Sequence, residues 1–111
     1  MELTSSQIIE LINSNVLPND IKHSFIYWYK KIIRQGEDIR IGPQIITMPF
    51  EGMIVFVDLA PHANWAHPCL YLLINIRSLD VKIIEASFPL SIEQSDDNYT
   101  IILRFGQILS N

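Results

Sequence analysis

The first apolar pattern along the chain is helical. Ile8, Ile9, Leu11 and Ile12 form a stripe behind Thr4, and Gln7 is placed to complete a capping box with Thr4. The pattern predicts a helix from Thr4 to Asn15, with Asn15 as a left-handed stop. Pro18 then suits the first turn of a second helix, where its missing N–H costs nothing. Ile21, Phe25, Trp28, Tyr29 and Ile32 recur at three- and four-residue spacing and predict one apolar face along that helix. Lys30, Lys31 and Arg34 near its end complement the helix dipole, and Gly36 terminates it. On this helix Trp28 and Tyr29 are expected in the core, Tyr27 at its boundary, and His23 off the stripe in solvent.

After Gly36 the period changes. Residues 39–41 read as a short extended piece ended by Gly42-Pro43, followed by a strand over 44–48 and a turn over 49–52. Residues 53–59 are almost wholly apolar before Asp58, as in a central strand covered on both faces. Residues 69–76 and 81–88 flank the turn Arg77-Ser78-Leu79-Asp80 and predict a hairpin. An acidic loop over 91–98 leads to a last strand over 99–105. Helices followed by strands imply one α+β domain over residues 1–111, with two N-terminal helices packed on one face of a four- to five-stranded antiparallel sheet.

Composition narrows the function classes. Apolar residues make up 49% of the 111 residues and charged residues 18%, which suits a folded core and argues against disorder. The net charge of −4 disfavours nucleic acid, whose binding needs a basic footprint. Cys69 is the sole cysteine, so no intramolecular disulfide forms and a reducing compartment is expected. The first residues lack a signal-peptide pattern and the apolar runs are too interrupted to span a bilayer, which makes a cytoplasmic, non-membrane protein the expectation.

Candidate chemistry gathers in one segment, Ala60 to Pro68, which joins two apolar strands and carries His62, Asn64, Trp65 and His67. Loops held by a rigid frame often carry function. Three readings apply. Cys69 as nucleophile, His62 or His67 as base, and Asp58 or Asn64 as orienter would make a Cys/His-dependent hydrolase or transferase. Against it, Cys69 opens an apolar strand, where a cysteine usually acts as a small hydrophobe. Asp58, His62, His67 and Cys69 could instead hold zinc, although their spacing fits no standard finger. The third reading is recognition: Trp65 with His62, Asn64 and His67 has the residue mix of a contact hot spot.

The acidic residues Glu93, Asp96 and Asp97 lack the glycine and ligand alternation of a calcium loop. No phosphate loop, serine elbow or dinucleotide fingerprint occurs. The reading taken forward is a non-enzymatic protein-binding module, such as an inhibitor, immunity protein or adaptor, with no cofactor. Its acidic balance would speed encounter with a basic protein, and a homodimer through the sheet edge or helix face is the further option.

Overall fold

The computed structural model describes residues 3–63, 66–88 and 98–109. Helix α1 spans Ser5–Asn15 and opens with the capping box: Gln7 N–H donates to Thr4 Oγ1 at 3.2 Å, and Thr4 N–H donates to Gln7 Oε1 at 2.9 Å. Its end differs from expectation. Asn15 is not left-handed; its side chain donates to the Leu11 carbonyl at 2.8 Å, and extended Val16 stops the helix. Helix α2, Pro18–Lys22, is short and closes at His23, which is solvent-exposed.

The long second helix does not form. Phe25–Ile33 is strand β1, and it lies in the middle of the sheet. Every residue of this strand except Lys30 and Lys31 is aromatic or β-branched, which suits a pleated surface better than a helix. Its helical spacing was fortuitous: a run apolar on both faces contains matches to either period. Trp28 is buried on one face of the sheet, while Tyr27 and Tyr29 are half-buried on the other.

The later strands follow the predicted order. They are β2 Asp38–Ile41, β3 Gln44–Thr47, β4 Gly52–Asp58, β5 Cys69–Asn75, β6 Val81–Ala86, β7 Tyr99–Arg104 and β8 Gln107–Ile108. Six of the described strands form one antiparallel sheet in the order β6-β5-β4-β1-β7-β8, and β2 and β3 pair separately. The protein is therefore α+β with a larger sheet than the four or five strands expected, because β1 and β8 join it. Glu93, Asp96 and Asp97 lie outside the described residues.

Strand β4 shows why the sheet centre is apolar throughout, since Gly52 to Val57 are all buried. Met53, Val55 and Val57 enter a cluster with Ile26, Trp28, Leu72 and Ile74, which also contains Ile8 and Ile12 of α1 and Ile21 of α2. Ile54 and Phe56 enter a second cluster with Tyr71 and Leu73, together with Ile41 and Ile46 of the β2–β3 hairpin. Alternate residues of one strand thus fill two cores. Gly42 turns β2 into β3 at φ +56°, and a Cβ there would come within 2.5 Å of the Phe88 ring. Among the described residues no helix is long and apolar enough to cross a membrane.

Candidate functional site

One end of the sheet brings the candidate residues into register. Asp58 ends β4 and stands opposite Cys69 on one side and Phe25 on the other. Cys69 in turn faces Ala86, and Phe25 faces Arg104. A single rung across five strands therefore reads Ala86, Cys69, Asp58, Phe25, Arg104. The segment joining β4 to β5 rises from this rung, and Asp58 fastens both of its described ends. Its Oδ1 accepts the Ala60 N–H at 3.1 Å and lies 2.7 Å from His67 Nε2. A carboxylate only accepts, so Nε2 is the donor in this pair. The side chains of His67 and Asp58 are 15% and 16% exposed, which shields the bond from water. His67 N–H also donates to the Ser87 carbonyl at 3.2 Å, tying the returning limb to the end of β6.

Cys69 is buried and donates its thiol to the Phe88 carbonyl at 3.4 Å. The same carbonyl accepts the Tyr71 hydroxyl. Burial, helped by the negative charge of Asp58, pushes the Cys69 thiol up to about 11. A nucleophilic cysteine needs the opposite shift, toward thiolate. Burial is also the main cause that raises the hydroxyls of Tyr27, Tyr71 and Tyr99 above their ordinary range. Tyr27 stacks between Phe56 at 5.9 Å and Tyr99 at 5.1 Å between ring centres. Burial thus keeps these three tyrosines protonated well beyond neutrality.

The structure thus joins Asp58 to His67 but gives Cys69 the surroundings of a core residue. Among the described residues no group of three or more His, Cys, Asp and Glu side chains is arranged to hold a metal ion, the set Asp58, His62, His67 and Cys69 included. Asn64 and Trp65 lie outside the described residues.

His62 instead joins a surface cluster that the sequence did not reveal. Its ring lies 6.3 Å from Phe25 and 5.9 Å from Phe105, and those two phenyl rings meet edge-on at 4.9 Å. The Arg104 guanidinium sits 5.5 Å from the Phe25 ring centre, within cation–π range. Phe105 is 43% exposed and has φ +50°. Followed by Gly106 at φ +82°, it forms the tight connection from β7 to β8. Both central residues of such a turn have positive φ, where asparagine and glycine are at ease and a bulky aromatic is strained. The one available signal was Phe105-Gly106 itself, an unsuitable turn pair following an apolar strand. No family model, curated protein or solved structure matches this chain.

Proposed function

We propose that the protein is a non-enzymatic protein-binding module whose contact surface centres on Phe105, His62, Phe25 and Arg104. The observation that carries this reading is Phe105, a large exposed aromatic held in a left-handed turn conformation beside a second ring and an arginine. Backbone strain of this kind costs roughly 1–3 kcal/mol and tends to cluster where a side chain is held for use. Aromatic residues and arginine are also the side chains that dominate contact energies. The segment between β4 and β5 contributes His62 to this cluster, and His67 anchors it through Asp58.

The partner is a protein with an apolar recess for Phe105 and an acceptor for Arg104. A net charge of −4 favours long-range encounter with a basic partner, as for an inhibitor or immunity protein. Affinity capture from the source-cell lysate tests the reading. Wild type and Cys69→Ser should retain one stoichiometric protein that Phe105→Asn and Arg104→Ala lose, each variant keeping its fold by circular dichroism. Phe105→Asn is the informative change, because Asn-Gly is a preferred pair for this turn. No retained protein, or equal retention by all four, would sink the proposal.

A further inference from the structure

Strand β6 is an outer edge of the six-stranded sheet and pairs with β5 alone among the described residues. The turn before it shows which way its backbone groups face. Asn75 N–H donates to the Asp80 carbonyl at 2.9 Å, which makes these two residues a hydrogen-bonded pair. The register then runs without a shift from Ile74 opposite Val81 to Cys69 opposite Ala86. Bonded and non-bonded pairs alternate in an antiparallel ladder, so Lys82, Ile84 and Ala86 turn their backbone groups toward β5. Those of Val81, Ile83 and Glu85 point out of the sheet, with no partner among the described residues. After Ala86 the chain turns in over the sheet, where the Phe88 carbonyl accepts from the Tyr71 hydroxyl and the Phe88 ring lies against Gly42. Sheet edges are commonly blunted by proline, a bulge or a very short strand. Strand β6 has six residues, no proline and no bulge, and Ile83 at its middle is 43% exposed.

The open groups are symmetric about Ile83. The geometry points to a homodimer in which β6 of two copies pairs antiparallel across a twofold axis at Ile83. There Ile83 opposes Ile83 of the second copy and Val81 opposes Glu85 on either side, each pair exchanging two hydrogen bonds. Between them Lys82 opposes Ile84, so an alkyl stem covers an apolar side chain and no like charges stand directly opposite. Neighbouring registers fit worse. An axis at Lys82 sets two lysines face to face, and an axis at Ile84 calls on Ser87, whose carbonyl already accepts the His67 N–H. A cavity of about 380 Å³ lies at the end of the strand, lined by Leu59, Pro68, Leu70, Glu85 and Ser87 among others. Opposed residues share a face, so Val81 of the second copy stands beside Glu85 at this cavity and covers its apolar wall. An unrelated strand would meet the same backbone groups, but the match of Val81 to the cavity and of Lys82 to Ile84 belongs to this sequence.

Sedimentation equilibrium of the full chain, from micromolar to millimolar concentration, should show the mass rising toward twice that of one chain. Ile83→Pro removes only an outward N–H, so β6 keeps its bonds to β5, and the dimer dissociation constant should rise about tenfold or more. Cysteine variants test the register. Ile83→Cys meets its own copy across the axis and should form a reducible covalent dimer under mild oxidation, whereas Glu85→Cys should not. The inference is overturned by a single-chain mass at every concentration, by a dimer that folded Ile83→Pro leaves unchanged, or by equal cross-linking of the two cysteine variants. If Ile83→Pro fails to fold, the cysteine pair decides. The Phe105 surface lies toward the opposite edge of the sheet, so the failure of either reading leaves the other intact.

Discussion

At the scale of single residues, the contrast between Asp58, His67 and Cys69 carries the chemistry. The three are close in sequence and suit a catalytic constellation by type, but their environments assign different work. Asp58 and His67 fasten the ends of a surface segment, whereas Cys69 fills the sheet interior and donates to Phe88. With its thiol pushed up to about 11 from 9.0, Cys69 carries about a hundredfold less thiolate near pH 8 than an ordinary cysteine. A thiol-reactive disulfide reagent should therefore label the native protein at least about a hundredfold more slowly than the urea-unfolded chain. Labelling of the folded protein at the unfolded rate would show that this environment is wrong. Candidate residue types were legible here in the sequence; their division of labour was not, because it depends on burial and on which group faces which.

The same distinction appears at the scale of elements. Helix α1 could be read from sequence because its determinants are local: a cap, a partner three residues on, and a stripe within one segment. Thr4→Ala removes the hydroxyl that accepts the Gln7 N–H, while the residue-4 N–H can still donate to Gln7 Oε1, and should cost about 1 kcal/mol, measured as a lower urea midpoint with an unchanged slope. An unchanged midpoint would mean that the cap contributes nothing beyond what solvent supplies. Strand β1 resists reading from sequence for the complementary reason. Its two faces are both covered, one by the cluster containing helix residues and the other by the tyrosine layer and hairpin. A two-sided strand has no polar alternation to betray its period. Residue type held the better signal, since aromatic and β-branched side chains dominate the segment. Strand β8, two residues long, is held by its pairing with β7 and carries no pattern of its own.

For the molecule as a whole, the buried tyrosine and cysteine layer makes alkaline stability the most direct test. Cys69, Tyr27, Tyr71 and Tyr99 all hold their protons more tightly in the folded state than their ordinary values of 9.0 and 10.0. The unfolded chain loses those protons first, so above about pH 9 it binds fewer protons than the native state and unfolding becomes more favourable. The urea midpoint should hold steady from neutrality to about pH 8.5, fall above pH 9, and fall more steeply once unfolded tyrosines ionise. A midpoint rising through that range would contradict the buried layer. By itself the sequence determined the first helix and its cap, the order of the later strands, the apolar sheet centre, and a segment rich in contact residues between two stiff strands. Those features follow from periodicity and turn chemistry within a few residues of one another. Only the tertiary structure decided that Phe25–Ile33 runs as a central strand, that Asp58 closes on His67, and that Phe25, His62, Arg104 and Phe105 share one surface. Each depends on strand register and on what covers each face, and residues far apart in the chain set both.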